Sequence, residues 1–493
     1  MVSILFSKRE KPFIPSKMII LLILSVSSFL NPFISTSVNT ALPSIGKTFG
    51  VGEVTQMWVV NAFLFTSSVL LLSFGKWADR VGPYRLFIPG LFLFGLGNAG
   101  SALGLSVGFM IASRAVQGLG SAMLYASVFP ILTKTFPKEK RGLILGVNLA
   151  IVSIGLTVEP FLGGIITDAM GWHWMFWVVS ALSFVLWVFA FVLFRDLKEP
   201  AQVHPHPFDI KGAVIYTLGM GGFIGGLTEL TTPWGFLFPV GVILLVVFYH
   251  IEKKTDEPML DTSLLTENKL FLLSNLSCWY IYAASFICIV VLSLYAQNFL
   301  GYSASEAGLL LMVQAVMMSI TTPLSGRLSD KYNQSLVTLF GQIIYAIGSL
   351  LLFLCVYLEW APYWLYISMT VCGIGYGSLL TPLSNTIMSS VGKHQLGTAS
   401  ATLSSMRQIG QSSGLSLGMV VTAFLSAKFF GTRFVGEVPV ELKKAFAQSH
   451  SEVIFFIVFV LSVLAVINGY LTCKHSIKKT DNSNPSLSSD QLI

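Results

Sequence analysis

Gly75-Lys-Trp-Ala-Asp79-Arg80 and Gly326-Arg-Leu-Ser-Asp330-Lys331 are two copies of one short pattern, Gly-x-x-x-Asp followed by a basic residue. Each copy closes an apolar segment of about 20 residues, the length that crosses a bilayer as a helix. The copies lie far apart in the chain but at the same point of a repeating apolar pattern. This internal duplication predicts two related halves, each built from several helices.

The composition places the chain in a membrane. Of its 493 residues, 54% are hydrophobic and only 11% are charged, and the mean hydropathy is +0.75. Soluble domains carry about 25% charged residues, so a soluble globular protein is excluded. The net charge of +7 comes from Lys and Arg in short loops, which indicates membrane topology and not a nucleic-acid-binding face.

Hydropathy predicts about fourteen membrane-spanning helices. They run near 18–43, 54–75, 86–104, 107–133, 142–168, 172–194, 211–229, 235–251, 270–298, 305–325, 335–357, 362–388, 397–427 and 451–473. Basic residues concentrate before the first span and after the even-numbered spans. The positive-inside rule therefore predicts a multi-pass protein of the cell (inner) membrane with both termini in the cytoplasm. The loop 428–450, predicted outside, is an exception because it also contains several Lys and Arg residues.

The two copies of the pattern are eight spans apart, which leaves two spans beyond two halves of six. We therefore predict an all-α polytopic membrane protein of two six-helix bundles plus two inserted helices. The predicted division is a cytoplasmic N-terminus 1–17, an N-terminal bundle 18–200, a linker with the two extra helices 201–268, a C-terminal bundle 269–473 and a disordered cytoplasmic tail 474–493. Duplicated halves with a substrate site at their interface are a common plan of secondary transporters.

Several motifs resemble those of the major facilitator superfamily, and within it the fourteen-span drug:proton antiporter family. They are Val38–Pro43, Gly75–Arg85, Arg114–Gly120, Gly155–Gly164, Gly326–Lys331 and Arg407–Gly414. The resemblance covers residues 18–473 and implies the major facilitator fold and export by alternating-access antiport. It also implies that a proton gradient drives transport and that no cofactor is needed.

The span-five motif contains Gly155, Pro160, Gly163 and Gly164, and the loop motif begins at Gly75. The resemblance implies that the span-five residues seal the outer half against proton leak. Close helix packing around the glycines and a bend at the proline are the alternative explanation.

Glu159 lies in the middle of this motif, at a position where the family usually has Gly, and Ile34 lies where the family usually has Asp. A charged side chain at the centre of a bilayer costs about 2.5–3.5 kcal/mol. Arg114 on span four lies at a similar depth, so we predict that it pairs with Glu159 in the central cavity. Both residues are candidates for proton coupling. The cation of Arg114 would favour the ionised form of Glu159, whereas burial would favour its protonated form, so a change in either could bind or release a proton. A fixed salt bridge is the alternative.

Four charged residues are predicted to gate the transporter. Asp79, Arg80 and Asp330 lie at cytoplasmic span ends, and the resemblance implies ionic contacts between the halves when the inside is closed. Solvated turns are the alternative. Arg407 lies well inside span thirteen, where it can act in gating or contact substrate directly.

Polar and aromatic residues within spans are candidates for the substrate cavity, with helix–helix contacts as the alternative. They are Asn39, Trp58, Asn61, Gln314, Gln342 and Tyr376. The sequence shows no metal-ligand spacing and no Gly-x-x-x-x-Gly-Lys-Ser/Thr phosphate loop. We therefore expect neither a metal site nor ATP as the driving force.

The preferred prediction is a monomeric transporter, not an enzyme, that exports drugs or other amphipathic organic compounds in exchange for protons. Its partners would be the small-molecule substrate, protons and the lipid bilayer, with no nucleic acid. One alternative is a dedicated exporter of an endogenous metabolite such as a siderophore, or an uptake carrier on the same fold. A membrane enzyme or a channel is a third class, but the sequence shows neither clustered catalytic side chains nor repeated charged rings.

Overall fold

The computed structural model describes residues 17–194, 209–255, 258–260, 262–392, 395–430 and 440–483. The first helices are α1 (Lys17–Phe49), α2 (Glu53–Val81), α3 (Pro83–Leu103), α4 (Val107–Thr135), α5 (Lys138–Met170) and α6 (Trp172–Phe194). They are followed by α7 (Ile210–Thr228), a 3₁₀ turn (Pro233–Phe236), α8 (Leu237–Glu252) and the short α9 (Thr262–Thr266). The remaining helices are α10 (Lys269–Asn298), α11 (Ala304–Lys331), α12 (Gln334–Tyr357), α13 (Tyr363–Ser389), α14 (Leu396–Phe430) and α15 (Val440–Ser483).

The all-helical prediction is confirmed. By length and composition, 13 of the described helical segments are apolar enough to cross a membrane. α13 is also 27 residues long and coincides with the predicted span 362–388, but it is rich in Gly, Ser and Thr and is not among these 13.

The last helix differs from the prediction at both ends. α15 begins at Val440 and continues to Ser483, so the first part of the tail that was predicted to be disordered is helical. Polar residues can extend a helix that an apolar span has already nucleated, because each added residue gains a hydrogen bond without a new nucleus. The rest of the tail, 484–493, and the N-terminal residues 1–16 lie outside the described residues.

Both copies of the duplicated pattern form the last turns of long helices. The first copy ends α2, and the second ends α11. After α2 the chain turns at Gly82, whose φ of 101° suits glycine and whose N–H donates to the Ala78 carbonyl at 3.0 Å. After α11 the N–H of Tyr332 donates to the Leu328 carbonyl at 2.9 Å. The duplicated sequence therefore marks equivalent places in the two halves.

The helices pack as two groups with a seam between them. α1–α6 pack on one another, and so do α10–α15. Across the seam α5 packs against α11 and α2 against α14. α7 and α8 pack together, and α7 contacts both α2 and α14, so this inserted helix lies along the seam.

The halves are joined at one end of the bundle. We call the end where α1 begins the terminal end and the opposite end the distal end. At the distal end Asp168 of α5 accepts hydrogen bonds from the N–H groups of Ala304 (3.2 Å) and Ser305 (2.8 Å) at the start of α11. The Ser293 hydroxyl of α10 donates to the Asn39 carbonyl of α1 at 2.8 Å. The distal end is therefore closed.

Candidate functional site

A cavity of about 590 Å³ lies between the two halves, a size that suits a drug-like molecule. α1, α2, α4 and α5 line it from one half, and α10, α11, α13 and α14 from the other. Most of the lining is apolar, with Leu124 and Ile289 as examples. Tyr125 is 41% exposed although it lies within a span, because it faces this space. The lining continues down α5 to Asn148, so the cavity extends from the middle of the bundle toward the terminal end.

Glu159 is a buried acid in the cavity wall. Its side chain is only 2% exposed, and its Oε2 atom has no hydrogen-bond partner among the described residues. Its backbone carbonyl accepts a hydrogen bond from Ser37 of α1 at 3.1 Å, which fixes this part of α5. A buried carboxylate without a partner is costly in a low-dielectric site, so a proton or a cationic ligand would stabilise it.

The predicted ion pair between Arg114 and Glu159 is absent from the described structure. The Nε of Arg114 donates to the Val59 carbonyl at 2.9 Å, and its Nη1 donates to Gln117 Oε1 at 2.6 Å. The guanidinium also lies 4.8 Å from the ring centre of Phe63. The prediction was wrong because equal depth does not fix the face of a helix, and Arg114 faces α2 and its own helix.

Arg407 is the cation that lines the cavity. Its guanidinium lies 5.2 Å from the ring centre of Tyr282, a distance typical of a cation–π contact. Tyr282 in turn meets Tyr376 edge to face with ring centres 5.9 Å apart. Arg407, Tyr282 and Tyr376 all line the cavity, together with Glu159. The sequence singled out Arg407, Tyr376 and Glu159, but it gave no signal for Tyr282.

The six residues predicted to line the cavity divide into two groups. Gln314 and Tyr376 lie in the cavity wall, and the Oε1 atom of Gln314 is buried without a partner in the described chain. Asn61 instead lies at the seam, where it donates to Thr228 of α7 and Ser416 of α14, both at 3.3 Å. This residue joins three helices, as the helix–helix alternative predicts.

The other three candidates also lie away from the cavity wall. Asn39 and Gln342 are fully buried, and the side-chain oxygen and nitrogen atoms of both lack partners within the described part of the chain. Trp58 is partly buried against the main hydrophobic core. None of these three residues lines the cavity in this structure.

Three of the four gating candidates lie at the terminal end, whereas Arg407 lies in the cavity wall. Asp79 and Arg80 belong to the last turn of α2, and Asp330 is exposed in the last turn of α11. This position is compatible with contacts between the halves in a state that is closed at the terminal end.

The glycines of the span-five motif allow close helix approach. A Cβ atom at Gly163 would lie 2.8 Å from the Ser37 side chain, and one at Gly164 would lie 2.4 Å from the Ala304 carbonyl oxygen. Gly155 packs against Phe29 of α1, where a Cβ would come within 3.1 Å of the ring. Gly75 has open space around it and packs against nothing closely. The glycines of the motif therefore let α5 pack closely against α1 and, at Gly164, against α11 of the other half.

A duplicated all-helical bundle with a cavity at the interface of its halves is the architecture of a secondary transporter. The family model described as Major Facilitator Superfamily matches residues 24–415 and 276–488. The chain belongs to this superfamily.

Known proteins of this type are similar over most of the chain. Multidrug resistance protein Stp of Mycobacterium tuberculosis is 28% identical over 402 residues, which cover 79% of this chain and 73% of that protein. Riboflavin transporter RibZ of Clostridioides difficile is 25% identical over 413 residues, covering 84% and 88%. A solved bacterial homologue of the human lysosomal transporter Spinster, inward-facing and unoccupied, superposes with a TM-score of 0.69 at 16% identity, covering 94% of this chain and 98% of that one. This last likeness supports the fold alone.

Proposed function

We propose that the protein is a proton-coupled antiporter of the fourteen-span drug:proton type that exports amphipathic organic compounds. The observation that carries this proposal is Glu159, a buried acid that lines the cavity with one oxygen unpartnered in the described structure. The apolar walls would hold the hydrophobic part of a substrate. The multidrug resistance protein Stp supports the drug-export assignment by its similarity.

Glu159 would couple the two fluxes by competition. Its carboxylate has no ion-pair partner among the described side chains, so the buried charge is stabilised either by a proton or by a cationic substrate group. A site that holds one or the other, and is reached alternately from each side, exchanges them. Arg114 would contribute indirectly, by fixing α2 and α4 around the cavity.

The conformation fits one step of this cycle. With both termini in the cytoplasm, as the positive-inside rule predicts, the closed distal end faces outside and the cavity extends toward the cytoplasm. This state would release protons to the cytoplasm and take up the compound to be exported.

A dedicated exporter or an uptake carrier for one metabolite is the second candidate. Arg407 lies in the cavity wall with no carboxylate at ion-pair distance among the described residues, so it can bind an anionic or carbonyl-rich solute. The similarity to the riboflavin transporter RibZ also favours this candidate.

Transport into liposomes tests both candidates. The purified protein is reconstituted, a pH gradient is imposed, and uptake of lipophilic cations, neutral compounds and riboflavin is measured. The proposal expects gradient-driven movement of several unrelated amphipathic compounds, abolished by a protonophore and by Glu159→Gln. Movement of one metabolite alone would favour the second candidate. Uptake that does not depend on the pH gradient would contradict proton coupling.

A further inference from the structure

A second group of titratable side chains joins the halves at the distal end. Glu53 begins α2, and His450 lies in α15, where it is 1% exposed. The Nδ1 atom of His450 is 3.3 Å from Oε2 of Glu53, and the other oxygen of Glu53 accepts from Asn298 of α10 at 2.9 Å. This acid–base pair is separate from the cavity wall that contains Glu159.

The hydrogen bonds of Thr422 are linked to the tautomer of His450. The Thr422 hydroxyl of α14 lies 2.7 Å from Nε2 of His450, 2.7 Å from the Gly418 carbonyl and 3.7 Å from Sδ of Met57. When its one hydrogen goes to the Gly418 carbonyl, as in a helix backbone bond to residue i−4, the hydroxyl oxygen accepts from Nε2–H of His450. The Nδ1 atom of a neutral His450 then presents a lone pair toward Glu53.

In that tautomer, one further proton is needed to make the contact between His450 and Glu53 favourable. Without it, a carboxylate oxygen and a nitrogen lone pair face each other at 3.3 Å in a buried site, and Oε2 of Glu53 has no aligned hydrogen-bond donor in the described structure. With one proton, either the acid donates to Nδ1 or the imidazolium donates to the carboxylate. Both arrangements attract α2 to α15 and hence one half to the other.

Other titratable groups do not take the place of this pair. On the elements packed against α15, the described groups near this end are Tyr295 of α10, Tyr357 and Glu359 at the end of α12 and Lys428 of α14, and α15 itself carries Lys444 and Glu452. On the elements packed against α2 they are Lys47 of α1 and Glu229 after α7. Gln448 bonds to Glu359 at 2.7 Å, and residues two apart on a helix point to nearly opposite faces. Among the described side chains, only Glu53 lies at ion-pair distance from His450.

We propose that Glu53 and His450 form a proton-binding site whose single proton holds the distal end closed. The pair lies at the distal closure and bridges the halves, so it controls opening independently of substrate. In the orientation proposed above, an acidic exterior would favour the closed distal end. This part of the inference rests on the proposed function, whereas the link between protonation and distal closure does not.

Spin-label distances measure this link directly. Labels at Leu105→Cys and Leu358→Cys report on the distal loops of the two halves, and both positions are exposed. Labels at Trp77→Cys and Tyr332→Cys, also exposed, report on the terminal end. Pulsed electron resonance in nanodiscs, without substrate or gradient, gives the closed-to-open ratio between pH 5 and pH 9.

If the closed state binds one more proton than the open state, the distal closed-to-open ratio should fall as pH rises, by at most about tenfold per pH unit. The closed-to-open ratio at the terminal end, measured with the second pair of labels, should rise as pH rises. Glu53→Gln supplies an amide that donates to Nδ1, so its distal end should stay closed at every pH. His450→Phe keeps an aromatic ring but removes the acceptor, and it should lose the pH response.

Glu159→Gln is the matched control. It should retain the pH response of the distal end even where it abolishes gradient-driven transport, so failure of the proposed function is distinguished from failure of this site. A distal distance in the unmutated protein that is independent of pH would overturn the proposal. A normal pH response in Glu53→Gln would overturn it as well.

Discussion

Adding one methyl group at the contact between α5 and α11 should open the distal end. A Cβ at Gly164 would lie 2.4 Å from the carbonyl oxygen of Ala304, and one at Gly308 would lie 2.2 Å from that of Pro160. Real Cβ atoms are almost never closer than 3.0 Å to another atom, and here the obstructing atoms are backbone, so the helices themselves must separate. We expect Gly164→Ala and Gly308→Ala each to destabilise this packing.

The size of the effect follows from the overlap. Overpacking a close contact costs about 1–3 kcal/mol. Because this contact joins the two halves, the cost falls on the distally closed state and should lower its ratio to the open state by about 5- to 150-fold. The distal spin-label pair measures that ratio at fixed pH.

Gly146→Ala is the control on the same helix, since a Cβ at Gly146 meets nothing within 4 Å. Both substitutions on α5 raise helix propensity equally, by about 1 kcal/mol, so the comparison isolates the contact. An unchanged distal ratio in Gly164→Ala, or the same change in Gly146→Ala, would refute the explanation.

Three further changes have defined outcomes. Arg114→Met should lower the melting temperature in detergent, because the Val59 carbonyl and the Gln117 side chain lose a buried donor, at about 1–3 kcal/mol each; an unchanged melting temperature would contradict this. Arg407→Gln should weaken binding of anionic compounds about tenfold or more while cations bind as before, measured by tryptophan quenching. Asp168→Asn should favour the open distal state by less than about tenfold, because it removes a negative charge whose interaction with the N-terminus of α11 contributes roughly 0.3–1 kcal/mol. An unchanged closed-to-open ratio of the distal spin-label pair would argue against that contact.

The sequence predicts the helices well because apolar length is a local property. Each of the fourteen segments predicted from hydropathy coincides with a long helix, and the duplicated pattern correctly marks the ends of α2 and α11. The extent of α15 was missed because its first and last turns are polar, and hydropathy measures only the part inside the bilayer.

Contacts between helices were harder to predict. The depth of Arg114 and Glu159 followed from residue counts, but each residue turns a helix by about 100°, so similar depth leaves the facing side open. Glu53 and His450 are far apart in sequence and meet only through the packing of the halves. No local sequence pattern predicts such a pair.

In the proposed cycle Glu159 carries the coupling proton, and this role is open to direct measurement. It is tested most directly in liposomes that contain a pH-sensitive dye, where substrate-induced proton movement and substrate–substrate exchange are measured on the same preparation. Glu229→Gln is the control, because Glu229 caps α7 away from the cavity and undergoes the same acid-to-amide change. We expect Glu159→Gln to lose substrate-induced proton movement and exchange of cationic substrates but to retain exchange of a neutral amphipathic compound, whereas Glu229→Gln retains all three. Proton movement at the unmutated level in Glu159→Gln would contradict it.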